Sequence, residues 1–465
     1  MASELFYKNK KIKSAGFLGA GRSSIAVAEY IKRNHKNVSL ILRSDNKIHK
    51  DALPRANLFD KIYECELSLS SVREDLLFLS PSVRHDRSDV AALSERGIKL
   101  TSDAEFFFSQ NKKDVYVITG SDGKSTTASL CSAILNRAYG KAKAIGNIGI
   151  PLSGELDSTD ALAYAVELSS FQLNSLAPVS NAALITNITP NHLDWHRSLE
   201  EYILAKKNAL INAKRRVYNY DCETSRSFIP SLPPHTVFSS ELSYRQLCRA
   251  VSAERYYTLE GLTLCSDGSP ITTLEPIFRY GAHNVKNALA AAALCDGLYD
   301  SDALCEVINS FTPLLHRCER FLSYGGVDYI NSSIDSSPKR TATTLDSLAL
   351  NVIVIIGGRS KGLDYSDLIL PLKRWARAVI LTGETGRDLF SILNDSHKLN
   401  VPIVYESDFD KAVTIATRLA TPGDTVILSP ASTSFDRFRS FEERGNRFKN
   451  IIKDIITEKI QRKSK

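Results

Sequence analysis

The chain has 465 residues, of which 24% are charged and 43% apolar, and a formal net charge of +7. That length exceeds one hydrophobic core and implies two to four domains, while the composition excludes a disordered or fibrous chain. The basic excess sits in clusters such as Lys8 to Lys13 and Lys459 to Lys465, without interleaved aromatics or zinc spacing, so no nucleic-acid partner is expected.

Ala15-Gly16-Phe17-Leu18 reads as a strand entering the turn Gly19-Ala20-Gly21, with a helix to Ile31 and a strand from Val38 to Leu42 behind it. This is the opening βαβ unit of a nucleotide-binding sheet, whose first turn cradles phosphates. The dinucleotide fingerprint is incomplete, because Ser24 replaces the third glycine and Arg43 stands where the acidic ribose contact belongs. A diphosphate ligand other than NAD fits at least as well, and a purely structural turn is the competing reading. A strand from Leu76 to Leu79 runs into Ser80-Pro81-Ser82-Val83-Arg84, and polar Ser109 to Lys113 closes a first α/β domain, 1–110.

Val115 to Ile118 forms a short apolar strand, Thr119 to Gly123 a turn, and Ala128 to Arg137 continues with helical spacing. Strand, glycine loop and helix start aim backbone N–H groups at a polyphosphate, with Lys124 to neutralise its outer oxygens and the Ser125 hydroxyl to hold Mg²⁺. The spacing Gly120-x-x-Gly123-Lys124-Ser125 is shorter than the general P-loop, so an ordinary turn with a surface lysine competes with this reading. The loop Gly146-Asn147-Ile148-Gly149 could bring an amide towards phosphate. Strands Ala163 to Val166 and Ala183 to Ile185 deliver Glu167 and then Asn187, Thr189 and His192 at their carboxyl ends, where ligands gather in parallel sheets. Ser125 and Glu167 offer the hard oxygens that Mg²⁺ prefers. A helix over Ser198 to Ile211 places Tyr202, Ala205 and Lys206 near one face, and an inward lysine there is costly unless neutralised or modified.

Residues 222–270 show short apolar alternations without visible chemistry. Tyr280 to Ala291 opens an Ala-rich helix in which Asn284 and Asn287 share a face; an N-cap competes with an adenine or ribose contact for Asn284. From Phe311 a third α/β domain follows, 314–465 after a central domain of 111–313. Its polar loops Gly357 to Gly362 and Ser429 to Asp436 follow strands and could meet a substrate carboxylate. The eight cysteines are scattered singly, no apolar run reaches the roughly 18 residues of a membrane span, and residues 1–15 lack a signal-peptide core. A cytoplasmic protein with reduced thiols is expected.

Taken together, the loops resemble the Mur ligase family, which is also similar to folylpolyglutamate synthetases. The matching runs are Thr119 to Thr126, Gly146 to Pro151, Glu167 to Leu173, Thr186 to Asp194, Tyr202-x-x-Ala-Lys206, Gly281 to Ala290, His316-Arg-x-Glu319 and Leu428 to Asp436. The runs at 167–172 and 428–436, with Phe441-Glu-Glu-Arg-Gly445, look most like the D-glutamate-adding members. The resemblance implies a Rossmann-like first domain binding a UDP-linked muramoyl precursor, a P-loop ATPase-like central domain, and a Rossmann-like third domain binding D-glutamate. It implies ATP-dependent amide formation through an acyl phosphate, in peptidoglycan precursor synthesis, by a monomer. Another acceptor amino acid, a folate substrate, or a non-catalytic nucleotide-binding descendant are the alternatives.

By matching position, Gly120, Ser121, Asp122, Gly123, Lys124, Ser125, Thr126 and Asn147 attend the ATP phosphates, and Asn284, Asn287 and Arg317 bind ATP. Ser125 and Glu167 hold one Mg²⁺ and His192 helps hold a second, with Lys206 carbamylated as a carboxylate-like ligand. Lys124, His192 and Lys206 are the catalytic candidates. Gly19, Ala20, Gly21, Ser44 and Ser169 contact the muramoyl substrate, and Lys361, Ser434, Phe435 and Phe441 hold D-glutamate. The sequence departs from the family at Asn191, where Asp is usual, and over 331–341, where Asp335, Lys339 and Thr341 are candidates by proximity alone.

Overall fold

The computed structural model describes residues 4–19, 21–44, 57–64, 69–81, 83–147, 149–190, 192, 195–348, 351–360, 363–394, 399 and 401–463. They form two compact units, one of residues 1–278 and 283–311, the other of 279–282 and 312–465. The α/β architecture read from the sequence is borne out: three parallel or mostly parallel sheets carry the chain.

The first unit holds two of them. Its smaller sheet is parallel throughout, in the order Lys61–Glu64, Ser39–Ser44, Ser14–Leu18, Leu76–Leu79, Lys99–Thr101. The order reverses between Ser14–Leu18 and Leu76–Leu79, which is where such sheets open a ligand crevice. Phe17 stacks on Phe78 at 4.9 Å, and Phe106 meets Phe78 edge-on at 5.2 Å, from the helix Asp103–Gln110. Arg43 sits in the slot of an acidic nucleotide contact because it has a structural task. It is 3% exposed, pairs with Glu74 at 2.9 Å, donates to Ser71 Oγ at 2.9 Å and lies over the Tyr63 ring.

The larger sheet has nine strands, in the order Ser269–Thr273, Thr263–Ser266, Arg255–Glu260, Thr236–Ser239, Ala213–Asn219, Ser180–Ile185, Asp114–Thr119, Ala163–Glu167, Ala142–Gly146. All pairings from Arg255–Glu260 to Ala142–Gly146 are parallel, and the outer two strands add an antiparallel edge. The region 222–270, chemically silent in the sequence, thus supplies four short strands. The short apolar alternations read there match these strands, which lie at one end of the sheet. Cys131 and Cys295, far apart in sequence, meet as buried thiols with Sγ atoms 3.3 Å apart.

The second unit has six strands, in the order Glu319–Tyr324, Val327–Asn331, Thr425–Leu428, Val352–Gly357, Ala376–Thr382, Ile403–Tyr405, parallel except for the first pair. Val352 to Ile356 is wholly buried, as a central parallel strand covered on both faces requires. No described helix is long and apolar enough to cross a membrane.

Glu74→Ala leaves the buried Arg43 guanidinium uncompensated and should cost about 3–5 kcal/mol. Arg43→Met combined with Glu74→Leu should lose much less. Urea unfolding followed by circular dichroism distinguishes the two.

Candidate functional site

Parallel strands release their following residues on one edge of the sheet. In the nine-stranded sheet, Asp114–Thr119 lies between Ser180–Ile185 and Ala163–Glu167, so the loops after Thr119, Ile185 and Glu167 are neighbours, with the loop after Gly146 next in line. The candidate site is built from these four loops, which brings together residues from 20 to 68 positions apart in sequence.

The phosphate loop is held in shape from several sides. Asn187 grips Asp122 through both of its amide atoms, each at 3.0 Å, and Thr186 Oγ1 donates to the Asp122 carbonyl at 2.6 Å. The Ser121 hydroxyl exchanges hydrogen bonds with Thr189 and meets the Tyr202 hydroxyl at 2.7 Å, so it is committed to the protein. Gly123 precedes the helix Lys124–Tyr139 at φ +79°, and a Cβ there would lie 2.3 Å from Asn287 Oδ1. Only glycine tolerates both demands. Lys124 Nζ folds back onto the Ser121 carbonyl at 2.9 Å, and Ser125 and Thr126 lie buried at the helix start.

Lys206 rises from the helix Leu199–Ile211, capped by Ser198, with 2% exposure. Its Nζ donates to the Gly120 carbonyl at 2.7 Å and stands 4.6 Å from the Tyr202 ring centre. Burial, followed by the nearby charge of Lys124, pushes its pKa well below the usual lysine range, against the opposing pull of Asp122 and Glu167. The inward lysine foreseen from the helix spacing is therefore inclined towards the neutral amine.

Glu167 is 1% exposed at its strand end, and Asn147 Nδ2 donates to its Oε1 at 2.9 Å. Its Oε2 is buried with no hydrogen-bond partner among the described residues. A buried carboxylate oxygen without a donor is costly, and a hard cation would satisfy it, so Glu167 fits a Mg²⁺ ligand. The described residues contain no group of three or more His, Cys, Asp or Glu side chains gathered as a metal cage. Mg²⁺ usually keeps waters and phosphate oxygens as ligands, so one or two carboxylates suffice. Ser169 caps a short helix, accepting from Gln172 N at 3.3 Å.

His192 is exposed at φ +55°, with its ring 5.0 Å from Phe171. His196, which sequence reading passed over, is 1% exposed and packs against Phe171, Trp195 and Tyr202, with Nε2 2.9 Å from Ser170 Oγ. Burial pushes its pKa down to about 4, so it is a neutral, packing histidine. Only its spacing of four from His192 could have flagged it.

Asn284 and Asn287 lie inside the helix Ala282–Leu294 and are buried, with Asn287 Nδ2 3.4 Å from Asn284 Oδ1. Asn284 is the third residue of that helix, which removes the N-cap reading. In the smaller sheet Gly19, at φ +92°, receives no crowding and donates its N–H to the Arg43 carbonyl at 2.8 Å; Gly21 precedes the helix Arg22–Asn34. Ala20, Lys361, Asn191 and the Ser44 side chain lie outside the described residues.

In the second unit Arg317 lies in a turn where His316 and Cys318 both take positive φ. Asn331 Nδ2 meets His316 Nδ1 at 2.8 Å and Glu319 Oε2 at 3.1 Å, holding that turn. Arg444, quoted above only as part of the run 441–445 and given no role there, holds the loops of this unit. Its guanidinium, 2% exposed, donates to Ser333 Oγ, Ser333 O, Ser432 O and Thr433 O, all within 3.1 Å, and burial lowers its pKa to about 10. It ties the loops after two strands to the helix Phe441–Lys463. Ser333 Oγ also donates to Phe441 O at 2.8 Å. Ser434 is buried beside these loops and Phe435 is 61% exposed. The proximity candidates of the divergent run are mostly consumed internally: Asp335 Oδ2 accepts from Ser429 and Thr344, and Thr341 bonds Ser429. Lys339 is exposed.

Residues 118–295 match the family model for the Mur ligase middle domain, and 316–432 that for the Mur ligase glutamate ligase domain. The chain is 35% identical over 461 residues to the UDP-N-acetylmuramoylalanine–D-glutamate ligase of Acetivibrio thermocellus, with 97% of this chain and 98% of that protein covered. The enzyme of the same name from Clostridium novyi is 33% identical, over 97% and 98% of the two chains. Among solved structures, the UDP-N-acetylmuramate-alanine ligase of Thermotoga maritima superposes with a TM-score of 0.62 at 17% identity, covering 96% of this chain and 99% of that one. The pseudomurein peptide ligase type C of Methanothermus fervidus gives 0.57 at 19%, over 95% and 100%.

Gly123→Ala should weaken ADP binding by about tenfold or more, since both its φ and its contact with Asn287 forbid a side chain. Gly140→Ala, at the open end of the same helix, should leave ADP binding unchanged and cost about 1 kcal/mol of stability. Calorimetric titration of the two folded variants tests the contrast.

Proposed function

We propose a reaction for this chain from a plain premise: it belongs to the Mur ligase family. The enzyme joins D-glutamate to the terminal carboxyl of UDP-N-acetylmuramoyl-L-alanine, converting ATP to ADP and phosphate, in peptidoglycan precursor synthesis. Relatives 35% and 33% identical over nearly the whole length of both chains are named UDP-N-acetylmuramoylalanine–D-glutamate ligases. The observation that carries the chemical reading is the buried Lys206 amine, hydrogen-bonded to the first carbonyl of the phosphate loop and coupled electrostatically to Glu167.

A carboxylate is a poor acyl donor, so it is first phosphorylated by ATP; the amine of D-glutamate then attacks the acyl phosphate and phosphate leaves. Positioning and charge stabilisation dominate such phosphoryl transfer. The backbone of Gly120 to Thr126 cradles the phosphates, and Lys124 swings from the Ser121 carbonyl to the transferred group. Asn147 and Asn187 fix the loop and the carboxylate beside it. Ser125, Glu167, His192 and Lys206 are the residues that would hold Mg²⁺. When bound, Mg²⁺ offsets the charge that develops between the β- and γ-phosphates. Asn284, Asn287 and Arg317 bind the nucleotide, Gly19 to Gly21, Ser44 and Ser169 the muramoyl substrate, and Lys361, Ser434, Phe435 and Phe441 D-glutamate. The parts divide as 1–110 for the UDP-linked substrate, 111–313 for ATP and 314–465 for the amino acid.

Carbamylation of Lys206 fits its surroundings. A neutral amine is the form that adds CO₂, and burial favours it. The new N–C bond releases one amine proton to solvent; the product keeps one N–H for the Gly120 carbonyl and gains a carboxylate to serve as a metal ligand.

Phosphate release with ATP, Mg²⁺ and UDP-N-acetylmuramoyl-L-alanine should be strong with D-glutamate and weak with L-glutamate, D-aspartate, L-lysine or no amino acid. Release with another amino acid alone would reassign the acceptor. Lys206→Ala should lose most activity and recover part of it with short carboxylic acids; recovery with bicarbonate alone would overturn the carbamate reading.

A further inference from the structure

Arg84 follows the strand Leu76–Leu79 of the smaller sheet, and its guanidinium reaches the segment that carries His192. Nη1 donates to the Trp195 carbonyl at 2.9 Å and Nη2 to Glu201 Oε1 at 2.5 Å, while Nε and Nη2 engage Asp86 at 2.8 Å each. The guanidinium carbon stands 4.8 Å from the centre of the Trp195 ring. Arg197 closes the cluster: its side chain pairs with Asp86 at 3.0 Å and its N–H donates to Glu201 Oε2 at 2.8 Å.

What this cluster holds is a strained turn. His192 has φ +55°, a left-handed conformation that a non-glycine residue keeps only when its surroundings over-determine it. Two of those constraints are on the page: the His192 carbonyl accepts from both Trp195 N, at 3.1 Å, and His196 N, at 3.0 Å. Arg84 fixes the far side of the same turn through the Trp195 carbonyl. Through Glu201 it also fixes the first turn of the helix Leu199–Ile211, on which Lys206 lies.

We infer that Arg84 is a positioning residue, which sets the His192 turn and the start of the Lys206 helix from the loop at the end of the smaller sheet. The inference rests on the metal-binding role proposed above for His192 and Lys206. A lysine cannot replace it, because a point charge cannot serve a carbonyl, two carboxylates and an indole face at once.

The test compares the full chain with its Arg84→Ala and Arg84→Lys variants by Mn²⁺ binding in the presence of ADP, read by electron paramagnetic resonance without turnover. Outer-shell partners of metal ligands commonly change metal affinity about 10–100-fold. Arg84→Ala should weaken Mn²⁺ binding by about tenfold or more and leave ADP affinity without metal within about twofold. Added guanidinium should restore part of the loss and ammonium should not, and Arg84→Lys should remain impaired. Unchanged Mn²⁺ binding in folded Arg84→Ala overturns the inference, as does full function in Arg84→Lys. Should Arg84→Ala not fold, Glu201→Gln reads the same contact: a weakened Mn²⁺ affinity supports the inference and an unchanged one overturns it. Phosphate release by the unaltered chain separates the two claims, since its absence with Mn²⁺ binding intact refutes the proposed reaction while the binding series still decides the role of Arg84.

Discussion

In the central sheet, parallel pairing obliges successive strands to end on the same edge, and this constraint organises the chemistry of the first unit. Thr119, Gly146, Glu167 and Ile185 all close strands that neighbour one another. The loop after each strand therefore meets the loops after the others, and Asn187 can grip Asp122 while Asn147 grips Glu167. A phosphate loop alone would be a flexible turn. Here its shape is prescribed by side chains from a second strand, by Tyr202 and Lys206 from a helix, and by the space that Asn287 denies to any side chain at Gly123.

Burial then divides the polar groups into two kinds. Some are satisfied within the protein and act as fasteners: Ser121, Thr186 and Asp335. Others are buried and incompletely served, such as Glu167 Oε2 and the Lys206 amine. Desolvating a charged or polar group without a full set of partners costs free energy, and such groups are where a cation or a covalent modification gains most. The second unit follows the same logic with a different fastener. Arg444 has its guanidinium almost wholly occupied by backbone carbonyls and Ser333, which fixes the loops that follow Val327–Asn331 and Thr425–Leu428.

Much of this was legible beforehand. Central strands such as Val352 to Ile356 and Ala163 to Val166 stand out as apolar runs because both their faces are covered, and the helix carrying Lys206 shows its inward face in its spacing. The short apolar alternations within 222–270 were visible along the chain, but the place of their strands at one end of the nine-stranded sheet was not, because pairing between strands has no local signature. In the sequence Arg43 is a departure from a nucleotide-binding habit, whereas its partner Glu74, thirty-one residues away, makes it a core ion pair.

The sequence by itself determined the α/β class and the order of the loops, and marked Lys124, Glu167, His192 and Lys206 as candidates, since local periodicity and loop composition are written along the chain. Tertiary structure alone decided which hydroxyls and amides are already spent, that Asn284 lies within its helix, and that Arg84, His196 and Arg444 support the loops around them. Those properties depend on contacts between residues distant in sequence and on the loss of water around them, and neither quantity has a local signature.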